Sequence, residues 1–173
     1  MKIKYEITPA FKIDFFKIKC CNFKHKREHI EEILKQYPEI PINNFNSNRN
    51  KADFTWQLQE IFKDEFTLIK TRYNKTIDIK HAWSVTYNKG EYHIPHNHSS
   101  QGYSGIIYLR MKKDSPKTNY IQPWNSERDM TRSYCPSVEE GDMMIVPQFL
   151  LHYTEPNKLT FKKRIISFDF FLK

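Results

Sequence analysis

With 173 residues, a formal charge of +8, only four glycines and no biased tract, the chain has the length of one ordinary domain, able to bury a core without disulfides or a structural metal. Thirteen Phe, ten Tyr and three Trp favour an aromatic-rich interior and exclude disordered and fibrous classes. The lysines are spread along the chain instead of gathered in one patch, so nucleic acid is only a weak candidate partner.

The opening stretch, MKIKYEITPAFKIDFFKIKCCNFKHK, has no uninterrupted apolar run and nothing approaching the roughly 20 apolar residues of a membrane span. Neither secretion nor membrane insertion is signalled, and a cytoplasmic location is expected. Three cysteines, with Cys20 and Cys21 adjacent and no C-x-x-C spacing, suit reduced thiols better than a disulfide frame or a zinc site. Residues 3–23 alternate loosely and predict one or two strands. From His29 to Tyr37 the spacing of Ile30, Ile33, Leu34 and Tyr37 predicts a short helix ended by Pro38 and Pro41, followed by a polar loop, NNFNSNRN. Phe54, Leu58, Ile61, Phe62, Ile69 and Tyr73 then recur at three- and four-residue steps. They predict the longest helix, with Asn50 as its N-cap and Asp53 three positions later.

After Thr76 the pattern changes to short strand-like runs between turns: IKHAWSVTYN, EYHI, YSGIIYLRM, NYIQPW, DMMIVP and RIISFDFFL. Helices preceding many short antiparallel strands, with no linker between, predict one α+β domain over residues 1–173. Within it, residues 1–76 supply N-terminal strands and supporting helices, and 77–173 the β core.

Two of seven histidines, His96 and His98, stand one residue apart beside a small-residue turn. In an extended strand, alternate side chains share a side, so these two imidazoles can share one ion. A glycine turn, an apolar strand and Pro147 lead to a third imidazole, His152. Twelve positions on, Arg164 opens a strand that also holds Ser167; an arginine there is either a solvated strand end or an anion clamp whose planar donor fork suits a carboxylate.

The order of Trp83 and Tyr87 (W-x(3)-Y), His96 and His98 (H-x-H), the run SGIIYL from Ser104 to Leu109, the Gly141 to His152 segment, and Arg164, Ser167 and Phe168 (R-x-x-S-F) resembles the Fe(II)- and 2-oxoglutarate-dependent oxygenases. More narrowly it is similar to their small bacterial and phage members, over about residues 79–172. The resemblance implies a double-stranded β-helix, a jelly-roll, cupin-like barrel with a metal at its open mouth and the N-terminal helices packed on one side. It implies Fe(II), 2-oxoglutarate and O2 as cofactors and co-substrate, with hydroxylation of a substrate C–H bond. His96, His98 and His152 would hold the metal, with no catalytic residue beyond the ligands. Arg164, Tyr108 and Ser167 would bind the far carboxylate of 2-oxoglutarate, and Asn97, Ser104 and Tyr87 would line the pocket, with Trp83 packing.

That family's usual metal motif is H-x-D/E…H, and His98 stands where the carboxylate is expected. Three arrangements follow: all three histidines bind; Asp142 or Glu91 completes the site; or His98 lies behind the ligands. Two other functions fit the same barrel: a three-His cupin-like metalloenzyme that does not use 2-oxoglutarate, and a non-catalytic β-barrel binding protein. The substrate, whether small molecule or protein side chain, and the oligomeric state are not legible, and loops 40–50 and 112–135 are expected to form the pocket rim.

Overall fold

The computed structural model describes residues 12–42, 47–50, 54–124 and 130–173. In chain order it runs β1 (Phe16–Lys19), α1 (Phe23–Lys35), β2 (Glu39–Ile42), β3 (Ser47–Asn50), α2 (Thr55–Ile61), α3 (Lys63–Tyr73), β4 (Ile77–Tyr87), β5 (His93–His96), β6 (Tyr103–Arg110), β7 (Thr118–Ile121), β8 (Ser133–Tyr134), β9 (Asp142–Pro147), β10 (His152–Thr154) and β11 (Lys163–Leu172). Seven strands form one antiparallel sheet in the order β1-β9-β6-β11-β4-β3-β2, and four form a second in the order β5-β10-β7-β8. From β4 onward the chain switches between the two sheets in jelly-roll fashion, giving the double-stranded β-helix expected. The second half of NNFNSNRN departs from the predicted loop: Ser47–Asn50 pairs with Glu39–Ile42, and the hairpin extends the larger sheet past β4, while 43–46 lies outside the described residues.

The apolar residues sort into two clusters, one on each side of the larger sheet. On its outer side Ile107, Leu109, Met143, Ile145, Ile166, Phe168 and Phe170 pack against Ile30, Leu34, Phe54, Leu58, Phe62, Phe66 and Ile69 of the helical layer. Between the sheets lie Val85, Tyr87, Ile106, Tyr108, Tyr120, Met144, Val146 and Ile165. The period of two along β11 decides which residue joins which cluster. Gly105 is dictated by the outer cluster: a Cβ there would sit 2.0 Å from the Phe168 ring, which itself meets Phe66 edge-on at 5.3 Å.

The helical layer differs from the sequence-based expectation in two places. Helix α1 begins at Phe23, six residues before His29, because its inner face continues through Lys26, whose ammonium is buried against the Glu65 carboxylate of α3 at 2.7 Å. The predicted long helix is two, divided at Phe62, which is completely buried and leaves helical dihedrals. Asn50 ends β3 and Phe54 takes the N-cap position, while Asp53 lies outside the described residues. All three cysteines are free thiols. Among the described residues no helix is long and apolar enough to cross a membrane.

Candidate metal centre and its pocket

Strand β5 ends at His96, so His98 lies in the following turn and not in an extended strand. Its backbone N–H donates to the Gln148 carbonyl at 3.2 Å, which anchors the turn beside β10. In the β10–β5 ladder His152 pairs directly with His96. Ring centroids are 4.4 Å apart for His96 and His152, 5.1 Å for His98 and His152, and 5.5 Å for His96 and His98. One ring nitrogen from each of the three lies within 4.8 Å of the others, a separation one ion can span.

Hydrogen bonding fixes which nitrogen each ring offers. His96 Nδ1 faces the Ile94 carbonyl at 2.8 Å, His152 Nδ1 the Leu150 carbonyl at 3.0 Å, and His98 Nδ1 the Asp169 carboxylate at 2.7 Å. Carbonyl and carboxylate oxygens only accept, so each Nδ1 carries the hydrogen and each Nε2 keeps its lone pair, the arrangement characteristic of metal-ligating imidazoles. Burial holds His96 below the ordinary histidine range, and burial together with the neighbouring His96 holds His152 down at about 3. Both rings are therefore neutral near pH 7, as a metal ligand must be.

The carboxylates offered as alternative third ligands lie elsewhere. Asp142 starts β9, where it accepts from the Glu139 N–H and pairs with Lys19. Glu91 closes a turn by accepting from the Asn88 backbone and side chain. The carboxylate that does reach the site is Asp169, which the sequence reading did not single out. Ser104, expected in the pocket, donates to Asp169 at 2.6 Å. Asn97 is exposed and is not among the residues lining the pocket described next.

Trp83, Val85, Tyr87, His93, His96, His98, Ile106, Thr118, His152, Thr154, Ile165 and Ser167 line one pocket, which brings Tyr87 and Ser167 beside the three histidines but includes neither Tyr108 nor Arg164. Trp83 both packs on His98, at 5.4 Å between rings, and lines this pocket. His93, also overlooked, meets the Tyr87 hydroxyl at 3.1 Å, and burial holds it at about 3.

Arg164 is not part of this pocket. Counting by twos along β11 from Ser167 reaches Ile165 and Lys163 on the inner face, which puts Arg164 on the outer one. There its guanidinium donates to Thr86 at 3.0 Å and to Glu39 at 2.6 Å. The inner cation is Lys163. It is completely buried, pairs with Tyr87 across the β11–β4 ladder and lies 4.5 Å from the Tyr87 ring centroid and 6.0 Å from that of Tyr108. Its ammonium has no hydrogen-bond partner, and burial pushes its pKa down to about 7. The Tyr108, Thr118 and Tyr120 hydroxyls are also buried without a partner; those of Tyr108 and Thr118 face each other without reaching hydrogen-bond geometry, and burial lifts Tyr108 to about 12. Each such group carries a penalty of at least about 1 kcal/mol, and a buried ammonium beside the Tyr108 ring is chemically suited to receive a carboxylate.

Fold and site thus define a β-helix enzyme that couples a metal to an anionic co-substrate. Residues 81–169, just over half of the chain, match the family described as "Putative 2OG-Fe(II) oxygenase", and the chain belongs to that family. It is an enzyme whose cofactors are Fe(II) and 2-oxoglutarate, with O2 as the usual co-substrate. The fold matches a 2OG-Fe(II) oxygenase family oxidoreductase from Burkholderia pseudomallei with a TM-score of 0.69 at 10% identity, over 90% of this chain and 83% of that one. It matches HygX from Streptomyces hygroscopicus, solved with nickel, 2-oxoglutarate and hygromycin B bound, with a TM-score of 0.66 at 13% identity, over 90% and 82%. A Pseudomonas putida prolyl-4-hydroxylase matches with a TM-score of 0.62 at 9% identity, over 92% of each chain. No curated protein matches the sequence.

Proposed function

We propose that this protein is a hydroxylase in which His96, His98 and His152 hold Fe(II) and Lys163, not Arg164, receives the far carboxylate of 2-oxoglutarate. The observation that carries this reading is the Lys163 ammonium, fully buried and without a hydrogen-bond partner on the inner face of β11. Removing an unpaired ammonium from water is expensive, and an incoming carboxylate would remove the penalty. The Tyr108 and Thr118 hydroxyls stand ready to donate to the same group, and Ser167 stands with the histidines on the pocket wall.

When bound, Fe(II) with 2-oxoglutarate and O2 would supply the oxidising power to hydroxylate a substrate C–H bond, with 2-oxoglutarate converted to succinate and CO2. The chain's own residues position and shield. The three Nε2 lone pairs would hold the ion, Lys163 would fix the co-substrate at its other end, and Val85, Ile106 and Ile165 keep the pocket wall apolar. Tyr120, whose ring lies 5.7 Å from that of His152, also lines an outer cavity of about 510 Å3. That cavity is walled by Phe15, Trp124, Tyr134 and Leu150, with Lys12 and Arg132 at its edge, and is of a size that suits a small molecule or a protein side chain. Its walls at 121–124 and 132–134 belong to the expected rim over 112–135; of the other expected rim loop, 43–46 lies outside the described residues. Residues 77–173 carry the histidines and Lys163, and 1–76 brace them and contribute Lys12 and Phe15 to the outer cavity, working as one domain in the cytoplasm.

The test is anaerobic thermal unfolding of the Co(II)-loaded protein with and without millimolar 2-oxoglutarate. A ligand that binds only the folded state raises the midpoint by mass action. The rise is expected in the parent and in Arg164→Ala, and is expected to vanish in Lys163→Met with its metal still bound. A parent that binds metal but shows no rise favours a three-His enzyme that does not use 2-oxoglutarate.

A further inference from the structure

We propose that Asp169 is a positioning residue which, acting through His98, supplies the negative charge that a site of three neutral imidazoles lacks. Asp169 belongs to the inner face of β11, six positions from Lys163 in the same alternating series. Its side chain is 14% exposed. Its Oδ1 receives both the His98 Nδ1–H at 2.7 Å and the Ser104 hydroxyl at 2.6 Å. Ser104 is itself only 2% exposed and is the direct ladder partner of Asp169 across β6 and β11, so the triad is built by strand register and not by chance contact of mobile side chains. Asp169 does not belong to the group whose ligand atoms lie within 4.8 Å of one another. It stands behind His98, where it cannot share an ion with His96 and His152.

The chemistry follows from the two bonds. A carboxylate accepting the Nδ1–H keeps the ring in one tautomer, pins its orientation and raises the basicity of Nε2. Half of the charge problem created by having histidine in place of a carboxylate ligand is thereby answered one bond further out: the anion is present, but it reaches the metal through an imidazole. Ser104 holds the carboxylate in place by taking up the lone pair that would otherwise let Asp169 swing. This inference rests on the reading of His96, His98 and His152 as ligands.

The test is a double-mutant cycle read by Co(II) affinity and by the visible absorption bands of the Co(II)-loaded protein, with no turnover required. Asp169→Ala is expected to weaken Co(II) binding about 10- to 100-fold. Asp169→Asn keeps an accepting oxygen and loses only the charge, so it is expected to weaken binding less while still shifting the absorption bands. Because Asp169 acts through His98, adding Asp169→Ala to His98→Ala is expected to cost nothing further, and adding it to His98→Asp, which returns a carboxylate to the metal itself, is expected to cost little. Full Co(II) affinity in Asp169→Ala overturns the inference, as does an equal loss when His98 is already absent. If Asp169→Ala does not fold, as judged by circular dichroism of the metal-free protein, Asp169→Asn decides: unchanged absorption bands overturn the inference. A parent that binds no Co(II) overturns the metal-centre reading, which is a different result from a parent that binds and is indifferent to Asp169.

Discussion

On the outer face of β11, Ile166, Phe168 and Phe170 are fully buried in an apolar cluster against a helical layer. On the inner face, one residue out of step, Lys163 and Ser167 are buried and Asp169 nearly so, yet Lys163 is a cation without a hydrogen-bond partner and Asp169 a carboxylate pinned under an imidazole. One strand of ten residues thus carries a face that maximises burial and a face that forgoes it. Burying an unpaired charge is what folding alone disfavours, so the inner face is shaped by what it binds. The helix face shows the contrast from another side. Its buried cation, Lys26, is met by Glu65 with two hydrogen bonds at 2.9 and 2.7 Å, so a charge placed there for packing has its partner in the chain.

The comparison is broken most forcefully by truncating the outer face. Phe168→Ala leaves a hole between Phe66 and Gly105 and is expected to lower unfolding free energy by about 3–5 kcal/mol in urea titrations, with no specific effect on 2-oxoglutarate binding by the molecules still folded. The opposite sign is expected on the inner face. Lys163→Met removes an unsatisfied charge and is expected to stabilise the metal-free protein by roughly 1–3 kcal/mol while abolishing the response to 2-oxoglutarate.

The pH dependence of the metal-free protein sharpens the same contrast. Lys163 titrates at about 7 when folded and near 10.5 when unfolded, so between those values the unfolded state binds the extra proton. Stability is expected to rise with pH across that window, by at most about 1.4 kcal/mol per pH unit from this group, and Lys163→Met is expected to flatten the rise. His152, at about 3 folded against 6.5 unfolded, acts in a lower window: stability is expected to fall as pH drops below 6.5. Thermal midpoints at a series of pH values check both. The smallest effect belongs to Arg164→Ala. That side chain is a quarter exposed in a pair with Glu39, and its loss is expected to change stability by no more than about 1 kcal/mol and to leave 2-oxoglutarate binding intact.

What the sequence made legible, and what it hid, divides along physical lines. The strands after Thr76 and the H-x-H with its distant partner were readable because alternation and spacing are local. The start of α1 was hidden by Lys26, a charged residue on a buried face that breaks the apolar pattern and is explained only by Glu65, 39 positions away. The β2–β3 hairpin was hidden because its asparagine-rich half has no alternation, and pairing with β4 supplies the reason for it to be extended. The cation proposed for the co-substrate has a signal in the sequence that a reading centred on Arg164 passes over. Ser167 had been placed at the site, and the strand period of two carries Ser167 back to Lys163 and forward to Asp169. The preference of an arginine fork for carboxylates outweighed that parity. The tautomer of each histidine was beyond reach, since it depends on carbonyls and a carboxylate brought in by turns and by register.

The measurement that bears most directly on the inner face of β11 is anaerobic calorimetric titration of 2-oxoglutarate into the Co(II)-loaded parent, Lys163→Met and Arg164→Ala. Binding by the parent and by Arg164→Ala, with none by Lys163→Met, is the expected result. Binding retained by Lys163→Met and lost by Arg164→Ala would contradict it, returning the carboxylate to the outer face of the strand.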